Sequence, residues 1–228
     1  MADPRAPAPL NTQDITPVSA GTSPATPGSE KRAELRRTML KKLRPYPLRH
    51  EWVFWHERNN PDATEEEWAD QLKEVTQINT VQGFWQVFNN FPFVTLALRD
   101  SLHLFKKNVK PIWEDPRNTN GGAWTFRVPK QQSQEFWKEA LMMAIGEILQ
   151  DVVEKGDDIC GVSISIRFKS HLVSVWNRDG NNETSVNAIQ TTILENLPDA
   201  LKPQPQNIYY KKHSAHKSFK GEATKPST

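Results

Sequence analysis

The segment from Val162 to Trp176 limits the possible folds of this chain more than any other. Val162, Ile164, Ile166 and Phe168 alternate with Ser163, Ser165, Arg167 and Lys169. That is the two-residue period of a strand with one apolar face, and it puts both cations on a polar face among small hydroxyls. A turn near Ser170-His171 returns the chain as Leu172-Val173-Ser174-Val175-Trp176, which presents Trp176 at a strand end. Other strand signals are Trp52-Val53-Phe54-Trp55, Leu72 to Thr76, a short strand at Leu102 and Leu104, and Ala123 to Val128. In the last, Trp124, Phe126 and Val128 alternate with Thr125 and Arg127, so Arg127 reads as a solvated strand residue.

Three helical stripes accompany the strands. The first starts at an Asn79 or Thr80 cap and runs through Val81, Phe84, Trp85, Val87 and Phe88 to about Asn90. Phe84, Val87 and Phe88 form one stripe, while Val81 and Trp85 lie on a second apolar face, either buried or used for docking a partner helix. A longer helix opens at Ser133 or Gln134, carries Phe136, Trp137, Ala140, Leu141, Ala144, Ile145 and Ile148, and ends near Asp151. In the third, Asn182 caps a helix that turns Val186, Ile189, Ile193 and Leu197 inward before Pro198 stops it.

Composition narrows the possibilities. Proline, serine, threonine and alanine together are concentrated near the start, and residues 1–30 hold too few large apolar groups to offset the entropy of ordering, so disorder is expected there. Lys31 to Arg44 is strongly basic, a solvated arm or a nuclear-entry or RNA-contacting segment. We therefore expect a tail over 1–44, one domain over 45–220 and a flexible end over 221–228. A net charge of +2 argues against a dominant non-specific polyanion footprint. The single Cys160 excludes an intramolecular disulfide and a cysteine-rich zinc site. No apolar run reaches the roughly 18 residues of a membrane span, and no signal core is present. The expectation is a soluble monomer of the cytoplasm, with the basic arm as a candidate route to the nucleus. Without a glycine-rich phosphate loop, a nucleophile motif or a metal-spaced ligand set, neither an enzyme nor a cofactor is expected.

Chemistry concentrates in Pro111-Ile112-Trp113-Glu114-Asp115-Pro116, followed by Gly121-Gly122-Ala123-Trp124. An indole next to a carboxylate, held between prolines, suits a flat, electron-poor ring with adjacent N–H donors on one edge. Guanine methylated at N7 is such a ring. Its positive charge adds a cation–π contribution of about 0.5–2 kcal/mol to base stacking of roughly 1–3 kcal/mol, and its N1–H and N2–H₂ edge can donate twice to one carboxylate. Trp68, a lone indole in an acidic loop, is either folded onto the core or left for a ligand.

Trp113-Glu114-Asp115 with Gly121-Gly122 and Trp124, the spacing of the eight tryptophans, and the Val162-to-Trp176 segment resemble the eukaryotic translation initiation factor 4E family from about Tyr46 to Lys220. The resemblance implies an α+β single domain. A curved, mostly antiparallel sheet would carry three helices on its convex face and a slot for the 7-methylguanosine cap of mRNA on its concave face. It implies that Trp68 and Trp113 sandwich the base, Glu114 reads its edge, Trp176 lies beside the methyl group, and Arg167, Lys169 and, more loosely, Lys217 meet phosphate. Pro47, Val81, Trp85, Glu139, Met142, Ile145 and Gly146 match the surface where a 4G-like scaffold or the 4E-binding proteins dock a Tyr-x-x-x-x-Leu-φ helix.

Some positions depart from the family pattern. Leu172 and Ala123 stand where initiation-factor members carry lysine and arginine, which predicts fewer phosphate contacts and a smaller salt slope. Leu172 is similar to the 4E homologous protein class, whereas Trp52 and Trp68 are not. Gln82 and Lys138 depart on the partner face. The resemblance thus implies an initiator bridging cap to scaffold, a cap-binding repressor, or an interaction module with weak cap binding.

Overall fold

The computed structural model describes residues 31, 32, 34, 35, 38, 44–59 and 71–216. The chain separates into two units, Met1–Arg44 and Pro45–Thr228. In the first, the described residues 31, 32, 34, 35 and 38 are helical, and the Thr38 hydroxyl donates to the carbonyl of Glu34 at 2.8 Å. The disorder expected of residues 1–30 and the flexible end expected beyond residue 220 lie outside the described residues.

Among the described residues the second unit contains seven strands: β1 (Pro47–Glu57), β2 (Leu72–Thr80), β3 (Ser101–Lys106), β4 (Gly122–Val128), β5 (Ile159–Ser165), β6 (His171–Asn177) and β7 (Ile208–Lys212). They form one curved sheet in the order β2-β1-β3-β5-β6-β4-β7, with every neighbouring pair antiparallel. Three helices, α1 (Val81–Asn90), α2 (Lys130–Ile145) and α3 (Glu183–Asn196), cover one face.

Alternation sorts the side chains between the two faces. Trp52 and Phe54, Leu102 and Leu104, Trp124 and Phe126, Val162 and Ile164, and Val173 and Val175 all turn toward the helices. There they meet Phe84, Phe136, Trp137, Leu141, Ile189 and Ile193, each buried. Removing such a side chain from water contributes about 1.5–3 kcal/mol, so this helix-side core holds most of the fold. The opposite face carries a smaller cluster of Phe105, Val109, Ala123, Cys160 and Trp176, with Trp55 and Trp113 half-buried against it.

Local differences from the expected boundaries have identifiable causes. β2 runs to Thr80, four residues beyond the expected end, and Thr80 then caps α1 by accepting from the Gly83 amide at 3.1 Å. α2 begins at Lys130 behind Pro129 and stops at Ile145 rather than near Asp151. Its last turn closes through the Gly146 amide to Met142, and Glu147 sits at φ 65°. The strand alternation of Val162 to Lys169 ends at Ser165. Ile166 still bonds backbone to backbone with Arg99 and Asp100, but Arg99 at φ 73° breaks the ladder. Phe168 is therefore 77% exposed instead of buried, with the Lys130 ammonium 5.6 Å from its ring centre. Asn182 caps α3 as expected, accepting from the Ser185 amide at 3.0 Å.

Candidate functional site

The loop after Lys110 is built from the inside. Asp115 is buried and its carboxylate accepts from the amides of Lys110 and Arg117, both at 2.9 Å. Asn118, fully buried, donates from its side-chain amide to the carbonyls of Lys110 and Ile112, both at 2.8 Å. Asp115 is thereby committed to the backbone, while Glu114 points outward and is exposed and Trp113 is half-buried. The two adjacent carboxylates have separate roles. The glycines that follow permit close approach: a Cβ on Gly122 would lie 2.3 Å from the Tyr210 hydroxyl.

Trp176 sits at the end of β6 on the helix-free face. It packs edge-on against Phe105, with ring centres 5.2 Å apart, and lies 4.4 Å from the His213 ring. His213 is fully buried and its Nδ1–H donates to the Asn118 carbonyl at 2.7 Å, which fixes the tautomer and leaves Nε2 without a partner. Burial pushes the His213 pKa down to about 4, against the opposing effect of the Asn118 bond, so the ring is neutral at physiological pH. The unfolded chain, with a histidine near the ordinary 6.5, takes up this proton first on acidification. Stability from this group is fully present above about pH 6.5 and is lost as pH falls toward about 4, a change of order 2–3 kcal/mol. The urea midpoint should drop between about pH 7 and about pH 4.5, and His213→Gln should flatten that drop.

Trp113 and Trp176 both line a cavity of about 350 Å³ on this face. From β4 it receives Ala123, Thr125 and Arg127; from the β5–β6 arm Ser165, Arg167, Leu172 and Ser174; from β7 and the turn after it Tyr209, Lys211, His213 and His216. The His216 imidazole stacks on the Trp113 indole, with centres 4.2 Å apart and planes within 20°. Burial and the Lys211 charge lower its pKa, so a neutral aromatic ring occupies that stack. The cavity thus offers an indole face that takes a flat ring at stacking distance, with a cationic wall beside it.

Of the expected cap-binding residues, Trp113, Trp176 and Arg167 come together in this cavity. Glu114 adjoins Trp113 without forming its wall, and Lys169 is exposed outside the lining. Trp68 and Lys217 lie outside the described residues. Arg127 is exposed, as expected of a solvated strand residue, and it also stands in the cavity wall. The alternation placed it correctly on the face away from Trp124, but the sequence could not show that this face is the concave one. Lys211, Tyr209, His213 and His216 were not foreseen as site residues, because no periodicity links the end of the chain to β4 in the way that the pairing of Tyr209 with Thr125 and Lys211 with Ala123 does, with His213 and His216 following directly.

On the helix-bearing side Val81 and Met142 are exposed, Pro47 and Gly146 are exposed, and Trp85 and Glu139 are half-buried. The Val81 amide bonds to the Tyr46 carbonyl at 2.9 Å, which brings the start of β1 against the start of α1. Ring contacts Trp85–Phe88 and Phe88–Trp137 connect α1 to α2. Ile145 is buried at 8% exposure and belongs to the core.

Comparison with known proteins follows the same outline. The family model described as Eukaryotic initiation factor 4E matches residues 47–227. The chain is 32% identical over 195 residues to the eukaryotic translation initiation factor NCBP of Oryza sativa subsp. japonica, covering 84% of this chain and 83% of that protein. The eIF4E-3 of C. elegans, solved in complex with the 4E-binding protein Mextli and cap analog, superposes with a TM-score of 0.65 at 30% identity over 75% of this chain and 94% of that one. The eIF4E-3 of Ascaris suum, solved with m7G cap, gives 0.64 at 31% identity over 81% of this chain and all of that one. With the sheet, the three helices and the tryptophan-lined concave cavity in place, this chain belongs to the eukaryotic initiation factor 4E family.

Proposed function

We propose that this protein binds the 7-methylguanosine cap of mRNA in the concave cavity and delivers capped message to the translation initiation machinery through a partner on its helix face. It acts by binding rather than by catalysis. The observation that carries the reading is the Trp113 face in the cavity beside Trp176, already accepting a planar ring at 4.2 Å. A methylated guanine in place of His216 gains the cation–π attraction that a neutral imidazole lacks. Glu114, free of backbone duties because Asp115 performs them, is available to accept from the N1–H and N2–H₂ edge. Trp68 is proposed as the second sandwiching indole and Lys169 and Lys217 as outer phosphate contacts. The exposed Pro47, Val81, Met142 and Gly146 and the half-buried Trp85 and Glu139, with Ile145 beneath, are proposed to receive an amphipathic helix from a scaffold or a 4E-binding protein.

Tryptophan fluorescence is the test. Quenching by 7-methyl-GTP should exceed quenching by GTP at equal concentration. Glu114→Ala should weaken the methylated ligand by about tenfold to a hundredfold, the loss of a charge-assisted bidentate pair. Equal responses to the two nucleotides would rule out a cap slot.

A further inference from the structure

We infer that Arg127 and Lys211 form, with Arg167, a phosphate-binding wall, which holds the phosphates that follow the methylated base. The inference rests on the cap reading and deepens it. Three guanidinium and ammonium groups line the cavity and no carboxylate does. Among the described residues none of the three takes part in an ion pair. Lys211 Nζ has only the His216 ring, at 3.3 Å, and Arg167 only the carbonyl of Ile166, at 3.1 Å, within hydrogen-bond reach. The Arg127 guanidinium lies over the Tyr209 ring at 5.4 Å, which orients it without neutralising it. Arg167 and Lys211 are half-buried and Arg127 is exposed at the rim, and Glu57, outside the lining, offsets only the charge of Arg167, so the wall keeps a net positive field that favours an anion.

Strand register ties these cations to the positions that lack them. Arg127 is the direct cross-strand partner of Leu172, and Lys211 is the direct partner of Ala123, which on its other side faces Trp176. Directly opposed residues in an antiparallel pair share a face, with Cβ atoms about 4.5–5.5 Å apart. A cation moved across the ladder therefore reaches nearly the same volume. The positive charge missing at Leu172 is supplied from β4, and that missing at Ala123 from β7. The smaller salt slope expected from Leu172 and Ala123 is replaced by the slope of a fully charged wall.

The test compares 7-methyl-GMP, 7-methyl-GTP and a short capped oligonucleotide against the full-length protein and its Arg127→Gln and Lys211→Gln variants, over a salt series. The gain in affinity from 7-methyl-GMP to 7-methyl-GTP should fall about fivefold to tenfold in each variant, and the slope of log affinity against log salt should drop by about 0.7–0.9 per cation removed. A loss seen with 7-methyl-GTP assigns the wall to the triphosphate, and a loss confined to the oligonucleotide assigns it to the phosphates of the RNA body. Variants matching the wild type in affinity and slope for all three ligands would overturn the inference alone. Wild-type protein that binds none of the methylated ligands would overturn the cap reading and the inference with it.

Discussion

Replacing Trp113 with alanine reduces affinity for 7-methyl-GTP by about a hundredfold or more while leaving the unfolding midpoint close to that of the wild type. The size follows from the middle of the range for base stacking plus cation–π attraction, together about 1.5–5 kcal/mol, at about 1.4 kcal/mol per factor of ten. The modest effect on stability follows from position. Trp113 is half-buried on a loop whose backbone is held by hydrogen bonds between main-chain groups and the side chains of Asp115 and Asn118, which the substitution leaves in place. Calorimetric titration is the proper readout, since the substitution removes one of the fluorophores. An affinity within about threefold of wild type would mean that the base does not sit on this indole.

Gly161→Ala has the second large effect, on stability and binding together. An added Cβ would lie 2.3 Å from Cδ2 and 2.4 Å from Cγ of Phe105, a ring with no exposed surface to retreat into. Overpacking of this kind costs about 1–3 kcal/mol. Gly161 pairs with Phe105 on one side and Trp176 on the other, and the two rings pack edge to face. The strain therefore passes directly to the indole beside the ligand. Urea unfolding should show an earlier midpoint, and affinity for 7-methyl-GTP should fall by about tenfold. Trimming the obstacle with Phe105→Leu in the same chain should recover part of the stability; no recovery would show that the cost arises elsewhere.

Much of the architecture was legible because period alone decides it. Val173 and Val175, Trp124 and Phe126, and the α3 stripe of Val186, Ile189 and Ile193 all face the core as their spacing requires. What spacing could not reveal was closure. β7 reaches β4 from the far end of the chain, and only that pairing brings Tyr209 and Lys211 to Ala123 and Thr125. Arg127 shows the same limit: its face was readable, but which side of a curved sheet that face occupies depends on where the helices pack. The end of β5 at Ser165 was misplaced because it depends on a single left-handed residue, Arg99, in a loop distant in sequence. Trp113 and Glu114 were legible from chemistry, an unusual indole–carboxylate pair between prolines. The division of labour between Glu114 and Asp115 needed the hydrogen bonds.

The strand order gives the cavity a mechanical character. β7 lies at the edge of the sheet with β4 as its one neighbour, and it carries Tyr209 and Lys211 and leads directly into His213 and His216. Edge segments open at lower free energy than strands held on both sides. Lys211 and the ring that covers Trp113 thus belong to an edge of the sheet that detaches more easily than its interior, whereas Trp176, Arg127 and Arg167 belong to strands and a strand connection held on both sides. A ligand spanning both sides works as a cross-link: it staples the last strand to the body of the domain, and part of its binding energy is spent on holding that strand in register.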